Sequence, residues 1–430
     1  MIEQLKIFFR SSLIKASYFN LIIVSVKVLS GFILSKVFAV LLGPSGYAFI
    51  GNFQNLSKLA TAFTAEGYQN GVIRFTSQYS EVPIKLKKIR ATIYQISLVF
   101  SIIVGVVLFV FSHYWSELIF QTKEYHHVIK CLAVGLPFIS FNLITIYVLN
   151  GLQKYKKLAF VNSVLSVVGM LVGIGLCYVY DLAGGLISFS IGPVIVFLIV
   201  VFFLFKDRYL LFDIFNIKWF STAFLKKANL YFFMAAYGMV ISYGNLIAIR
   251  TLIISQQGIL EAGYWEAMNR ISTYYLMFFL SLTSIYLLPQ FSKTNSVKRF
   301  KREIKSFYSL VIPVLAVFFI GIYLFRFLLL KLLLSKAFMP TANLFFWQLV
   351  GDSISVLAIA LVKQFHAKLM VKAYVICNGV LNLMYFCLSY LFIQDYGIVG
   401  VTKAYALSYA IYLLMVFGFV LHYFKKNVAD

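Results

Sequence analysis

Acidic side chains are scarce in this sequence, with 14 Asp and Glu residues against 38 Lys and Arg, and charged residues of both signs make up only 12% of the 430 positions. Hydrophobic residues make up 62%. That balance leaves too little polar surface to solvate a globule and no room for a soluble domain of useful size. With a mean hydropathy of +0.89 and apolar runs along the whole chain, the sequence is typical of a polytopic membrane protein.

The sequence also lacks the motifs of ATP hydrolysis, redox chemistry and metal binding. No G-x-x-x-x-G-K-[ST] pattern occurs, so any active transport must use an ion gradient or the substrate's own gradient. The cysteines lie in apolar segments without a C-x-x-C pair and are interpreted as packing residues: Cys131, Cys177, Cys377 and Cys387. The histidines show no ligand spacing, so we predict neither a metal site nor a cofactor: His113, His126, His127, His366 and His422.

The apolar runs predict an all-α membrane protein of about twelve transmembrane helices. The predicted spans are 12–42, 47–78, 91–113, 127–151, 158–180, 183–205, 228–255, 261–291, 305–326, 341–364, 371–393 and 398–423. Lys and Arg residues concentrate at alternate connections, and 27 of the 38 fall on one side. By the positive-inside rule we predict a multi-pass inner-membrane protein with both termini cytoplasmic. The basic segment 326–336 is an exception, because it falls on the predicted outer side. The basic connections account for the net charge of +24, so no nucleic-acid partner is predicted.

A long basic connection at residues 206–227 divides the predicted spans into six and six. We therefore predict two six-helix lobes, residues 1–215 and 216–430, around a central cavity. A faint internal repeat supports the division, since residues 46–52 (GYAFIGN) align with residues 263–269 (GYWEAMN). Such a duplication places the lobes about a pseudo-twofold axis along the membrane normal.

Ionisable side chains at membrane depth are costly, at about 2.5–3.5 kcal/mol each on insertion scales, and are functional candidates for that reason. The basic ones are interpreted as substrate-binding residues: Lys27, Lys36, Lys58, Arg74, Arg250 and Arg270. The acidic ones are interpreted as charge-pairing or coupling residues: Glu66, Glu266 and Asp352.

Lys27 and Glu66 fall near mid-depth in the first two predicted spans and are close enough in depth to pair. One interpretation is a buried ion pair that pins two helices together. The other is a cation that faces the cavity with its charge tuned by Glu66. The second span is long and weakly hydrophobic, and Lys58, Thr61, Ala65 and the region of Gln69 recur at helical spacing. We expect that face to line water or a partner helix.

Glu266 and Arg270 are four residues apart, the favoured order for an ion pair within one helix. Arg250 falls near the same end of the preceding predicted span. Two arginines against one glutamate leave a surplus positive charge that suits an anionic substrate better than a cationic drug. The alternative is that Arg250 extends to the outer membrane interface.

Asp352 lies in the tenth predicted span and has no basic neighbour three or four residues away. It could accept a proton or bind a sodium ion. It could equally pair with Lys27 or Lys36 from the other lobe, and the sequence leaves these alternatives open.

Short blocks in order along nearly the whole chain resemble the Wzx-type translocases. They are residues 43–46 (GPSG), 52–54 (NFQ), 70–72 (NGV), 78–79 (QY), 263–265 (GYW), 286–289 (YLLP) and 346–352 (FWQLVGD). The likeness is strongest to the branch that flips lipid III of enterobacterial common antigen and to related O-antigen flippases. It implies the multidrug/oligosaccharidyl-lipid/polysaccharide exporter superfamily, with two six-helix lobes and alternating access.

The resemblance also implies the substrate, an oligosaccharide repeat unit on undecaprenyl pyrophosphate that moves from the cytoplasmic to the periplasmic leaflet. Membrane lipids, and the polymerase and chain-length regulator of the same pathway, are the expected partners. An ion-coupled multidrug exporter is the alternative within transport, although such a pump should prefer acidic groups in its cavity. A membrane-bound O-antigen polymerase, from a different class, would need sizeable periplasmic loops, and the longest predicted outer loop runs only from residue 113 to 127. We therefore predict a transporter and not an enzyme.

Overall fold

The computed structural model describes residues 12–204, 217–287, 290–291 and 296–427, and no strand occurs among them. The α-helices in these ranges are α1 (Ser12–Leu41), α2 (Gly43–Thr64), α3 (Gln69–Gln78), α4 (Pro83–Val110), α5 (Ser112–Phe120), α6 (His126–Gly151), α7 (Tyr155–Phe203), α8 (Thr222–Gln257), α9 (Ile259–Leu282), α10 (Val297–Leu324), α11 (Arg326–Leu333), α12 (Phe345–Ala367), α13 (Val371–Tyr396) and α14 (Ile398–Asn427). The short 3-10 segments in the same ranges are Glu66–Tyr68, Ile217–Trp219 and Lys336–Leu344, and a π-helical turn spans Thr283–Leu287.

Helices are the expected form of these apolar runs, because a chain that crosses lipid must satisfy its backbone hydrogen bonds within each segment. Within the described ranges, nine helical segments are long and apolar enough to cross a bilayer. On α10 the side chains of Leu310, Val317 and Leu324 are 69%, 74% and 67% exposed, which suits contact with lipid. The all-α membrane class predicted from the sequence is confirmed.

The 49-residue helix α7 contains a break in the middle. Tyr180 and Asp181 leave the helical conformation, and Asp181 has a φ of 47°. The break coincides with the predicted connection between the spans 158–180 and 183–205. Each half is about 33–38 Å long at 1.5 Å per residue, enough to cross the hydrocarbon core. The total of about twelve spans stays a prediction.

The second predicted span is not one continuous helix, contrary to the sequence interpretation. Helix α2 ends at Thr64, Ala65 adopts φ −150° and ψ −52°, and a 3-10 turn leads into α3. The carboxylate of Glu66 accepts hydrogen bonds from side chains earlier in the chain, Lys58 and Thr61. In an unbroken helix Lys58 and Glu66 would lie about 12 Å apart along the axis, so these contacts favour the break.

The described residues divide into two compact units. Unit 1 comprises the described residues of Met1–Leu41 and Asn52–Val240, and unit 2 those of Leu42–Gly51 and Ile241–Asp430. The predicted lobe boundary at residues 215 and 216 lies outside the described residues, so the two six-helix lobes stay a prediction.

Unit 1 is built around α6, which packs between α4 and α7, while α1 packs along α7. Its core near α3 is aromatic and aliphatic. The ring centroids of Tyr68 and Phe232 are stacked 4.4 Å apart, and those of Phe75 and Phe224 meet edge to face at 5.7 Å. These contacts hold α3 against the first part of α8.

Unit 2 is built around α14, which packs against both α12 and α13, and α9 lies against α12. The first residues of α2 belong to this unit. Tyr47 is fully buried there, with its ring 5.3 Å from that of Phe338. A segment that the sequence assigns to the N-terminal lobe therefore packs in the same unit as α9.

Candidate functional site

A buried ion-pair network joins α8 to α9 in unit 2. The Arg250 guanidinium donates through Nη2 to Oε2 of Glu266. The Arg270 guanidinium donates through its own Nη2 to Oε1 of the same carboxylate, at 3.1 Å. One glutamate thus receives an arginine on each oxygen, and the pair Glu266 and Arg270 predicted from their spacing is confirmed.

The network lies in the protein interior and is bordered by aromatic rings. The side chains of Arg250, Glu266 and Arg270 are only 1%, 9% and 11% exposed. Cζ of Arg250 lies 5.2 Å from the Trp265 ring centroid, and Cζ of Arg270 lies 4.8 Å from that of Tyr47. Such cation–π contacts offset part of the cost of desolvating the guanidinium groups. The alternative that Arg250 extends to the membrane interface is wrong, because its side chain is buried and forms an ion pair with Glu266.

Two glycines allow α2 and α9 to approach closely around this network. A Cβ at Gly51 would lie 2.8 Å from Nη2 of Arg250 and would overlap the carboxylate of Glu266. A Cβ at Gly263 would overlap the backbone of Pro44. Pro44 and Gly263 belong to the GPSG and GYW blocks that carry the family resemblance, so these separate blocks meet at one contact.

We expect Gly51→Ala to lower the free energy of unfolding by about 1–3 kcal/mol, the usual cost of overpacking a tight interior. The added methyl group would displace the Glu266 carboxylate from its two arginines. The measurement is the thermal unfolding temperature of the purified protein in detergent. Gly321→Ala is the matched control, because a Cβ at Gly321 would meet nothing within 4 Å. Equal unfolding temperatures for the two variants would contradict the close packing at Gly51.

A second buried cluster surrounds Asp352 on α12. The Asp352 side chain is fully buried, and side chains from three helices donate hydrogen bonds to it. Ser272 Oγ and the Tyr275 hydroxyl donate to Oδ2, the former at 2.7 Å. The Tyr405 hydroxyl and Gln348 Nε2 donate to Oδ1 at 2.9 and 3.2 Å. Neutral donors therefore stabilise the carboxylate.

Aromatic side chains connect the Asp352 cluster to the arginine network. The rings of Tyr385 and Tyr405 are 5.5 Å apart. Tyr385 lies within electrostatic range of both Asp352 and Arg250. Helix α9 contributes to both clusters, with Glu266 in one and Ser272 in the other. The two clusters therefore share helix α9, and Tyr385 lies within electrostatic range of a charged residue in each.

Sequence reasoning did not identify the donors to Asp352. Gln348 is the one with a local signal, because it lies four residues before Asp352 on the same helix face. Ser272, Tyr275 and Tyr405 lie 80, 77 and 53 residues away. Periodicity in the sequence does not predict contacts between residues so far apart along the chain.

In unit 1, Glu66 pairs with Lys58 and not with Lys27. Nζ of Lys58 lies 2.6 Å from Oε1 of Glu66, and the two side chains are 48% and 12% exposed. Thr61 Oγ1 donates to the same oxygen at 3.3 Å. Lys27 on α1 is exposed and lies within electrostatic range of both Lys58 and Glu66. The three charges form one group with a surplus positive charge.

The remaining predicted cations of unit 1 lie apart from that group. Arg74 on α3 is exposed and donates through Nη1 to the Tyr231 hydroxyl, with Cζ 5.6 Å from the Tyr231 ring centroid. Lys36 lies at the edge of an apolar groove of about 590 Å³, which α1 forms with the part of α7 around Tyr178. The groove suits a hydrocarbon chain and has one basic residue in its lining.

The described residues contain no group of three or more His, Cys, Asp or Glu side chains that could hold a metal ion. The charged clusters of the described residues contain Lys, Arg, Glu and Asp side chains. What they offer chemically is a surplus of positive charge and one buried carboxylate held by neutral donors.

Comparison with known proteins connects these features to a family. Residues 13–295 match the model of a family described as polysaccharide biosynthesis protein. The lipid III flippase of Escherichia coli (strain K12) is 26% identical over 413 residues, which cover 95% of this chain and 98% of that protein. The lipid III flippase of Shigella flexneri matches to the same extent.

Solved structures of transporters share the fold. An inward-facing multidrug resistance MATE family transporter of the MOP superfamily superposes with a TM-score of 0.79 at 14% identity, covering 95% of this chain and 99% of that one. A MOP superfamily transporter from Pyrococcus furiosus, described by the reverse polarity of its binding pocket, superposes with a TM-score of 0.73 at 14% identity, covering 97% and 96%. The family model spans well over half of the residues, so the chain belongs to the polysaccharide biosynthesis protein family and the resemblance inferred from its sequence is confirmed.

Proposed function

We propose that this protein is a flippase that moves an oligosaccharide linked to undecaprenyl pyrophosphate from the cytoplasmic to the periplasmic leaflet by alternating access. The observation that carries the proposal is the match over 95% of the chain to proteins named as lipid III flippases. These relatives are named as transporters and not as enzymes, which agrees with the sequence prediction. The chain is a multi-pass inner-membrane protein, and we further propose that both termini are cytoplasmic.

The distribution of charge supports a pyrophosphate substrate. Lys27, Lys58 and Arg74 are exposed, and each can contribute a donor to a phosphate oxygen. Arg270, in unit 2, is mostly buried but retains some exposure, and we propose it as a further phosphate-binding residue. Arg250 is buried, so we assign it a positioning role through Glu266.

Lys36 suits another part of the same substrate. Lys36 is one of the residues that line the apolar groove of unit 1, and a lipid phosphate carries its negative charge next to a hydrocarbon chain. We propose that Lys36 contacts the phosphate while the polyprenyl chain stays in the lipid or in this groove. The polymerase and the chain-length regulator of the same pathway are the proposed protein partners.

A drug exporter of the same fold is less well supported. Cationic drugs need exposed carboxylates, whereas Glu66 and Glu266 are paired with basic side chains and Asp352 is fully buried. The multidrug transporters that share the fold are only 14–15% identical, and that likeness concerns the fold alone. The surplus of basic over acidic groups favours an anionic substrate.

We assign ion coupling to Asp352. A carboxylate buried among neutral donors can exchange a proton or a monovalent cation without breaking an ion pair. Because α9 carries groups of both clusters, a change of charge at Asp352 is transmitted to Arg270. Coupling of this kind is reciprocal, so substrate binding also changes the affinity of Asp352 for its cation.

Deletion of the gene should cause the undecaprenyl-linked repeat unit to accumulate on the cytoplasmic face of the membrane. Expression of the wild-type protein in the deletion strain should abolish this accumulation. Arg270→Ala and Lys27→Ala should fail to do so at normal membrane levels, because each removes a cation proposed to bind pyrophosphate. The measurement is the amount of lipid-linked glycan on each face, together with the surface polysaccharide.

Arg302→Ala and Lys123→Ala are the matched controls, since these side chains are 76% and 67% exposed and lie outside the proposed site. Both should complement as the wild type does. If no lipid-linked glycan accumulates after deletion and the surface polysaccharide is unchanged, the flippase proposal is wrong.

A further inference from the structure

The short helix α11 follows directly on the membrane-spanning helix α10. Phe325 ends α10 with φ −92° and ψ 11°, and α11 begins at the next residue. Three basic residues accompany it, Arg326, Lys331 and Lys336. They are the exception to the distribution of Lys and Arg, because they fall on the side predicted to be outside. The proposed transport function does not account for them.

One face of α11 presents apolar side chains outward. Phe327, Leu328 and Leu332 are 51%, 57% and 64% exposed, whereas Leu330 is fully buried. Lys331 is exposed on the same face, four residues after Phe327. Exposed Phe and Leu side chains beside an exposed lysine suit a segment at the membrane interface, because the long lysine side chain can reach from an apolar surface to the headgroups.

Arg326 is held at the junction between the two helices. Its Nη1 donates to the backbone oxygen of Tyr323 at 2.6 Å, and its Cζ lies 4.1 Å from the Tyr323 ring centroid and 4.6 Å from that of Phe327. Aromatic and basic side chains at the end of a span are the usual anchors at the level of the lipid headgroups. The junction thus fixes α11 at that level.

Unit 1 carries a short helix at the corresponding place. Helix α5 follows α4 as α11 follows α10, and Tyr114 and Leu118 of α5 are 61% and 41% exposed. Its charge differs, because Glu117 pairs with Lys123 at 3.5 Å. Apolar exposure is common to both positions, while the cluster of three basic residues accompanies α11. The basic residues are therefore not a requirement of the fold.

We propose that α11 lies at the membrane interface and binds the phosphate headgroups of anionic phospholipids, with the predicted orientation placing it at the outer leaflet. Its apolar face continues the lipid-facing surface of α10 into the interface. Lys331 and Lys336 are exposed and are complementary in charge to a lipid phosphate. This interaction is separate from the transport of the lipid-linked oligosaccharide and does not depend on it.

Native mass spectrometry of the full-length protein, titrated with phosphatidylglycerol or phosphatidylcholine, tests the proposal. We expect tighter binding of phosphatidylglycerol by the wild type. The variant Lys331→Gln/Lys336→Gln should bind phosphatidylglycerol about thirtyfold more weakly, about fivefold for each lysine. Its affinity for phosphatidylcholine and its thermal unfolding temperature should not change. The matched control is Lys123→Gln/Lys130→Gln, which removes the same charge near α5 and should leave the phosphatidylglycerol affinity within about twofold.

A tryptophan reporter tests the placement of the helix. The fluorescence that the Leu328→Trp variant adds is the difference between the variant and the parent protein. In vesicles of brominated phosphatidylglycerol, the lipid should quench this added fluorescence. Added fluorescence that aqueous iodide quenches instead would overturn the interfacial placement. Equal phosphatidylglycerol affinities for wild type and the α11 variant would overturn the headgroup site. A loss of affinity confined to undecaprenyl pyrophosphate would assign these lysines to the transport route and would also contradict the proposal.

Discussion

Replacing Glu266 with alanine is expected to lower the free energy of unfolding by about 3–5 kcal/mol, the cost of leaving buried charges without their partner. Both guanidinium groups of the network donate to this carboxylate, and the Arg250 side chain is only 1% exposed. Without Glu266, two positive charges would repel each other in a largely buried site. The measurement is unfolding of the purified protein in detergent by heat and by denaturant.

Glu117→Ala is the matched control for Glu266→Ala. Glu117 also pairs with a basic residue, Lys123, but these side chains are 60% and 67% exposed. An exposed pair contributes at most about 1 kcal/mol, so this variant should unfold almost as the wild type does. Similar losses of unfolding free energy in both variants would show that burial does not determine how much the ion-pair network contributes to stability.

Asp352→Asn is expected to reduce gradient-driven transport by about 5–150-fold, the usual range of coupling between two sites. Asparagine keeps the size of the side chain but loses its charge and its ability to take up a proton. It also replaces one carboxylate oxygen by an NH2 group, which donates and cannot accept from the two donors that bond to this oxygen in the wild type. The measurement is the flipping rate of a lipid-linked oligosaccharide in proteoliposomes with an imposed proton or sodium gradient.

Two further variants separate charge from packing at Asp352. Ser272→Ala removes one donor and retains the carboxylate, so the response to the gradient should persist. Asp395→Asn makes the same chemical change at an exposed position at the end of α13 and should transport as the wild type does. If the flipping rate of Asp352→Asn still responds fully to both gradients, Asp352 does not take part in coupling.

Both expectations depend on the position of α9. Within about ten residues this helix carries Glu266 and Arg270 for the arginine network and Ser272 and Tyr275 for the Asp352 cluster. Ten residues span about 15 Å of helix. A shift of α9 along its axis would change the contacts of both clusters together. We therefore expect the effects of Asp352 and Arg270 variants on transport to be non-additive.

Local patterns in the sequence determined the fold class and part of the site. Apolar runs long enough to cross a bilayer predicted the helices, because a backbone in lipid must form its hydrogen bonds within one segment. The spacing of Glu266 and Arg270 predicted their ion pair, since residues four apart share a helix face. The scarcity of acidic residues predicted the surplus of positive charge.

Tertiary structure alone decided which partners these residues have. Glu66 pairs with Lys58 because the helix breaks at Ala65, and no spacing rule anticipates that break. Arg250 is buried because Gly51 lets α2 pack directly on the carboxylate of Glu266. Asp352 receives hydrogen bonds from Ser272 and Tyr405, which are far away in the sequence. Such contacts follow from how helices pack, and helix periodicity specifies which face a residue lies on but not which helix that face meets.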